Sequence, residues 1–221
     1  MDVDRRRRGE CSMGRYTDAK CRLCRRAGEK LFIKGPRCIT EKCSFSKRPT
    51  PPGSAPLKRS RPTNYALQLR EKQKVKRMYG MLEKQFKRFF MMAHKTRGVT
   101  GRVLLQFLER RLDNIIYRTL FAFSRNHARQ VVQHGFVFIN GKRVSIPSYI
   151  VKEGETIEIK AKDSIKAEFK GNVEINSKER SVPTWMQVDN SNLKVKILRL
   201  PEKEDLIIPV NEQLIVELYS K

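Results

Sequence analysis

The sequence predicts an α+β fold, with helices through the N-terminal half and short antiparallel strands in the C-terminal half. Three observations carry this expectation. Residues 64–94 repeat apolar side chains every three or four positions, the spacing of one helix face. Asn140-Gly141 lies between apolar-rich arms, and "GETIEIKA" (154–161) alternates apolar and polar residues as a half-buried strand does. Ahead of both, cysteines at 21, 24, 38 and 43 mark a small separate unit.

That unit comes first in the chain. Cys21-x2-Cys24 and Cys38-x4-Cys43 match the two-pair pattern of a structural Zn²⁺ site. A two-residue gap lets both thiolates of a pair turn onto one ion, and the intervening loop brings the second pair round. Four thiolates complete a tetrahedral shell and leave no open position for a catalytic water. Arg22, Arg25, Arg26, Lys34, Arg37 and Lys42 flank the pairs, favour thiolate over thiol and offset the negative charge of such a centre. An iron–sulfur cluster or a metal-free knuckle would use the same four thiols. Cys11 lies outside the pattern and reads as a free thiol. An odd total of five cysteines, with no apolar run after "MDVDRRRRGECS", argues for reduced thiols and against a secreted disulfide scaffold.

Residues 49–63, "PTPPGSAPLKRSRPT", hold five prolines and read as an extended arm or solvated tether bearing Lys58, Arg59 and Arg61. From Asn64 to about His94 one helix is expected, with Thr63 or Asn64 as its cap. Val75, Met78, Tyr79, Leu82, Phe86, Phe89 and Phe90 form its core stripe; Lys72, Lys74, Lys76, Arg77, Lys84, Lys87 and Arg88 occupy the other faces. A second helix starts at Thr100 and buries Val103, Leu104, Phe107 and Leu108. In "SRNHARQVVQHG" Ser124 is a good N-cap and Gly135 a good helix stop. "FVFINGKRVSI" is a hairpin, because Asn-Gly supplies the two positive-φ residues of a type I′ turn. Residues 163–180 are weakly helical, "NLKVKILRL" is a strand, and "NEQLIVELYSK" is a strand or short helix.

The formal net charge of +25 decides the partner class. Residues 1–100 hold 28 Lys and Arg against 8 Asp and Glu, so the excess sits in the N-terminal half. Such a chain repels itself unless a polyanion neutralises it. Nucleic acid fits better than anionic lipid, since no amphipathic membrane-anchoring face accompanies the charge. No stretch approaches the ~18 apolar residues of a membrane span. Phosphate-cradling Gly-rich loops and the G-x-S-x-G nucleophile motif are missing from the sequence. His94, His127 and His134 have no carboxylate or thiol neighbours in sequence and read as packing or RNA contacts.

"LREKQKVKRMYGMLEKQF" (69–86) and "LLQFLERRLDNIIYRTLFAFSRNHARQVVQHGFVFINGKRVSIPSYIVKEGETIEI" (104–159) closely resemble the bacterial small-ribosomal-subunit S-four family, in its zinc-binding form. "MGRY" at Met13 and the C-terminal "PTWMQVD", "LPEKEDL" and "VNEQLIVELYSK" look like the same family, so the resemblance covers about residues 13–221. It implies a zinc knuckle over 13–48, a basic arm over 49–63, a helical domain over 64–109 and a helix-and-antiparallel-strand RNA-binding domain over 110–175. It also implies a C-terminal segment, 176–221, that packs back and faces a neighbouring ribosomal protein. Residues 1–12 have no family counterpart and are an extension unless Met13 is the start.

The implied function is that of a structural constituent of the small subunit, not an enzyme. It would bind small-subunit rRNA at a multi-helix junction, nucleate assembly of the subunit body and support translational accuracy through the neighbouring protein S-five. Residues matching the RNA-binding positions are Arg70, Lys72, Lys74, Arg77, Arg111, Arg125 and Arg129, with Asn140 and Gly141 shaping the hairpin. The arm with Lys58, Arg59 and Arg61 would lie near the path by which mRNA enters. Cys21, Cys24, Cys38 and Cys43 would hold Zn²⁺. A cytoplasmic, ribosomal location without membrane contact or stable homo-oligomer follows. The alternative is a free RNA-binding regulator or an RNA-modification factor carrying the same module. Where the family often reads "PPGQHG" this chain has "PPGSAP", so any contact made by that Gln-His pair does not carry over from the resemblance.

Overall fold

The computed structural model describes residues 16–53, 61–205 and 209–220. Lys58 and Arg59 of the arm, Cys11 and the 1–12 extension lie outside the described residues. The cysteine unit contains α1 (Cys21–Ala27), a single 3-10 turn over Gly35–Cys38 and a four-residue α2 (Ser44–Lys47). Gly28, at φ 81, ends α1, and its N–H closes onto the Cys24 carbonyl. Arg25 donates to the carbonyls of Thr50 and Pro51 at 2.7 and 3.3 Å, which tethers the start of the arm to the knuckle.

The segment expected as one helix from Asn64 to His94 is two: α3 (Asn64–Met78) and α4 (Glu83–Lys95). Thr63 caps α3 by accepting from the Ala66 N–H at 3.2 Å. Gly80, at φ 61, breaks the run, and the Met81 N–H turns back to the Lys76 carbonyl. The core stripe crosses the break because both helices face the same interior. Val75, Phe86, Phe89 and Phe90 pack there with Leu104 and Leu108 of α5 (Thr100–Glu109).

After α5 the chain enters a second core. Helices α6 (Leu112–Arg118) and α7 (Arg125–Gln133) pack together. Strands β1 (Val137–Ile139), β2 (Lys142–Arg143) and β3 (Thr156–Ile159) follow, then α8 (Asp163–Ser177), β4 (Met186–Asp189) and β5 (Lys194–Ile197). Ser124 caps α7 by accepting from the His127 N–H at 3.2 Å, and Gly135 (φ 76) ends it. The strands form one antiparallel sheet in the order β2-β1-β3-β5-β4. Asn140 (φ 48) and Gly141 (φ 81) make the hairpin turn between β1 and β2.

Period-two patterning sets the buried face. Val137, Ile139, Ile157, Ile159, Val195 and Ile197 point inward with Trp185, while Glu158, Lys194 and Lys196 face out. α8 seals this core with Phe169 and Val173, and its Asn172 and Asn176 donate to the Phe121 and Leu120 carbonyls at 3.1 and 2.8 Å. Those two carbonyls would otherwise be buried without partners.

The ambiguous ending is helical. α9 (Glu212–Tyr219) is capped by Asn211 and returns to the first core, where Ile215 is fully buried and the Tyr219 ring lies 4.4 Å from Phe90. The Tyr219 hydroxyl donates to Glu83 at 3.1 Å. Among the described residues, no helix is long and apolar enough to cross a membrane.

Candidate nucleic-acid interface

The basic side chains of α3 divide into two groups. Lys72 and Lys74 are only 8% and 9% exposed and are held by carboxylates: Lys72 by Glu83 at 2.6 Å, Lys74 by Glu29 at 2.8 Å and Glu71 at 3.6 Å. They join α3 to α4 and to the knuckle, and they do not stand on the open phosphate-facing surface expected from sequence. The pattern of spacings could not show this, since Glu29 is 45 positions away. Lys76 pairs with Glu83 at 2.9 Å from a half-buried position. Glu83, between two ammonium groups, is held down at about 2: burial would raise it, but the hydrogen bonds and charges of Lys72 and Lys76 outweigh that.

Arg70 is exposed, whereas Arg77 is half-buried and appears in none of these pairs. Burial lowers the Arg77 pKa; the nearby Tyr16 acts the other way, and Arg26 adds to the lowering. A cation desolvated without a carboxylate is available to an incoming anion. Arg77 lines a recess of about 190 Å³ with Tyr16, Lys20, Lys76 and Asn126, where knuckle, helical domain and α7 meet. Lys84, Lys87 and Arg88 on α4, and Arg22, Arg26, Lys34 and Arg37 on the knuckle, are all exposed and extend the positive surface. Arg61, at the described end of the arm, is exposed as well.

Arg111 is corrected most sharply. It is 0% exposed, grips Asp113 through two hydrogen bonds of 3.0 and 2.6 Å, and lies 5.5 Å from the Phe89 ring. Its backbone bridges to Ile150, so it is a buried strut between the two cores and no surface contact. The neighbouring Glu109 organises the same junction. Its carboxylate accepts from the Tyr79 hydroxyl at 2.5 Å, from Asn114 at 2.9 Å and from two Arg118 nitrogens at 2.9 Å each. Burial would raise the Glu109 pKa, yet Arg118 and Arg125 hold it down at about 2. Tyr79 goes the other way, pushed well up by burial and by the Glu109 charge, and so remains a hydroxyl donor.

Arg125 is clamped between the Tyr79 and Tyr117 rings, 4.8 and 4.5 Å away, and donates to Asn114 at 2.8 Å. Sequence reasoning missed its neighbour Arg180, whose guanidinium lies 4.2 Å from the Tyr117 ring and donates to the Tyr117 and Ala122 carbonyls at 3.2 Å each. Both line a cleft of about 450 Å³ between the knuckle and the second core. Arg129 is half-exposed on α7. Asn140 and Gly141 are exposed at the hairpin tip, where the Asn140 side chain accepts from the Thr156 N–H at 3.0 Å and fixes the turn to β3. His94, His127 and His134 sit beside Phe90, Phe123 and Phe136 with ring centroids 6.4, 5.9 and 6.0 Å apart.

Cys21, Cys24, Cys38 and Cys43 are free thiols, the last three buried. Backbone N–H groups point at their sulfurs: Leu31 at Cys24, Lys34 at Cys38 (3.4 Å), and Phe45 and Ser46 at Cys43. Burial, with added repulsion from neighbouring thiols, raises Cys24 and Cys38. For Cys43 burial acts upward too, but the N–H donors lower it overall. Directed N–H donors suit thiolates, and the donor set suits a thiophilic ion. Among the described residues, however, no three His, Cys, Asp or Glu side chains converge as a ready ligand shell.

Comparison with known proteins divides the chain where Arg110 follows α5. The model of the ribosomal protein S4/S9 N-terminal domain matches residues 15–109, and that of the S4 domain matches residues 110–157. The small ribosomal subunit protein uS4 of Dictyoglomus turgidum is 53% identical over 209 residues, covering 95% of this chain and 100% of the relative. The uS4 proteins of Caldicellulosiruptor saccharolyticus and Thermodesulfovibrio yellowstonii are 53% and 52% identical, with the same coverage of both chains.

Proposed function

This chain belongs to the small ribosomal subunit protein uS4 family, and on that premise we propose that it is a structural, non-catalytic constituent of the small ribosomal subunit. Identity above one half across the whole of each relative carries the reading. A protein of this family works in the cytoplasm, on the ribosome, with small-subunit rRNA and other ribosomal proteins as its partners.

Its positive surface is suited to RNA phosphates. Arg70, Arg77 and the exposed cations of α4 and the knuckle are in none of the ion pairs found among the described residues, while Lys72 and Lys74 hold the helices that display them. Double-helical RNA offers phosphates, 2′-hydroxyls and junction shape more than base edges, and two cores rigidly joined at Glu109 and Arg111 suit recognition of a multi-helix junction. In this reading the protein nucleates the subunit body, its C-terminal segment faces the protein S5 and supports accuracy, and the 49–63 arm lies near incoming mRNA. These finer roles rest on the family resemblance. Cys21, Cys24, Cys38 and Cys43 hold Zn²⁺ in this proposal, supported by their spacing and by the N–H groups aimed at the sulfurs; the ion's part is to lock the knuckle.

Binding of the full chain to small-subunit rRNA across a salt series tests the RNA reading. Six to ten phosphate contacts would lower affinity by about three to five decades between 50 and 200 mM salt, on the DNA calibration. Affinity indifferent to salt would overturn it. Elemental analysis of the purified protein tests the metal: one Zn per chain, lost together with knuckle order in Cys21→Ser, is expected, and a metal-free protein with an intact knuckle would refute it.

A further inference from the structure

Phe32 departs from ordinary placement twice. Its side chain is 45% exposed, and its backbone is left-handed at φ 49, a region that residues with a Cβ enter at a cost. Its neighbours impose the position. Leu31 is 1% exposed and gives its N–H to Cys24, and the Lys34 N–H is bonded to Cys38. Gly35 lies so close to the second core that a Cβ would collide with the Phe123 carbonyl. The loop is therefore held at both ends while the phenyl ring is turned outward.

The ring borders the 450 Å³ cleft, within the range of about 300–1,000 Å³ typical of ligand pockets. Across from the knuckle stand Arg125 and Arg180. Their guanidinium groups are fixed on tyrosine rings and, among the described residues, donate to an amide oxygen and to backbone carbonyls; Glu109 acts on Arg125 and Glu179 on Arg180 through space, without a direct hydrogen bond to either guanidinium. Among the described residues, Glu179 is the one acidic side chain on the lining. An exposed, rigid aromatic facing fixed cations is the arrangement that receives an unpaired base together with its phosphate. A nonpolar protein segment would cover the ring but desolvate both guanidiniums without bringing an anion into contact with them.

We propose that this cleft takes one unpaired nucleotide of RNA, with its base stacked on Phe32 and its phosphate toward Arg125 and Arg180. The proposal rests on the rRNA-binding reading above and deepens it to a single subsite. Stacking of one base contributes a factor of about ten in affinity and engages no phosphate.

The test compares wild type, Phe32→Gly and Phe32→Trp in binding to small-subunit rRNA, each with a melting curve. Glycine adopts φ 49 without strain, so Phe32→Gly should melt no lower than wild type. Its affinity should fall about tenfold with an unchanged slope of affinity against salt, and Phe32→Trp should recover to within about threefold of wild type. Wild-type affinity in a folded Phe32→Gly overturns the subsite and leaves the rRNA reading standing. Failure of the wild type itself to bind would instead remove the reading beneath it. Should Phe32→Gly melt early, photo-crosslinking of the wild-type complex decides: an RNA adduct on Phe32 supports the subsite, and adducts confined to other residues overturn it.

Discussion

Replacing Glu109 by Gln tests how the two cores are joined. Glu109 is 1% exposed and its carboxylate accepts four side-chain hydrogen bonds, from Tyr79 at the end of α3 and from α6 (Asn114 and, twice, Arg118). Glutamine keeps the shape but removes the charge and turns an NH₂ toward one set of donors. Holding a carboxyl at about 2 in place of 4.5 corresponds to about 3 kcal/mol at neutral pH, at about 1.4 kcal/mol per pH unit. Breaking a buried pair from one side costs about 3–5 kcal/mol, and the 24% exposure of the Arg118 side chain favours the lower end.

At about 2–4 °C per kcal/mol for a chain of this size, Glu109→Gln should melt about 6–12 °C below wild type at pH 7, read by circular dichroism. Acid should shrink the gap. The folded carboxyl titrates lower than the unfolded one, so its stabilisation is complete above pH 4.5 and is lost as the pH falls toward 2. Glu109→Gln should lack that part of the acid transition. Arg118→Met combined with Glu109→Gln should cost less than the two singles added together, by about 1–3 kcal/mol. A melting change under 2 °C, or an acid transition identical to wild type, would refute the reasoning.

Three further outcomes follow from the same contacts. Gly35→Ala should lower the melting temperature by at least a few degrees and expose the knuckle to protease, because it adds left-handed strain of about 1–2 kcal/mol to a collision with the Phe123 carbonyl; an unchanged cleavage rate would contradict that packing. Ile215→Ala should cost about 2–5 kcal/mol in a denaturant melt, since a side chain at 0% exposure leaves a cavity between α9 and the first core; a cost under 1 kcal/mol would mean that α9 is not docked there. Arg77→Ala should lower the slope of rRNA affinity against salt by about one while leaving the melt nearly unchanged, and Lys74→Ala should do the reverse; equal slopes for the two variants would show that burial does not sort these cations.

Local chemistry was readable where the sequence alone determines the backbone. Thr63 and Ser124 cap helices as expected, Asn140-Gly141 makes the hairpin turn, and Gly135 ends α7. The break at Gly80 was not readable from periodicity, because the apolar stripe runs on through it and α4 turns the same face inward. Strand β4 and helix α6 carried weak local signals and form against neighbours: β4 pairs with β5, and α6 is anchored by Asn114 and Arg118 on Glu109. The ending is helical over Glu212–Tyr219 because Ile215 and Tyr219 dock on the first core, a contact that no local pattern reports.

The same limit applied to the interface. Composition pointed to a polyanion, but which cations face it depends on carboxylates distant in sequence. Lys74 meets Glu29, and Arg111 rather than Arg110 is the residue that becomes fully buried. Arg180 reaches Tyr117 across 63 positions, so the cleft it lines has no signature in any one segment.

Sedimentation of a tagged copy of the full chain with small subunits washed in high salt tests the central claim most directly. Retention at one copy per subunit is the predicted result. Release of the protein to the soluble fraction would contradict a structural role and favour a free RNA-binding factor.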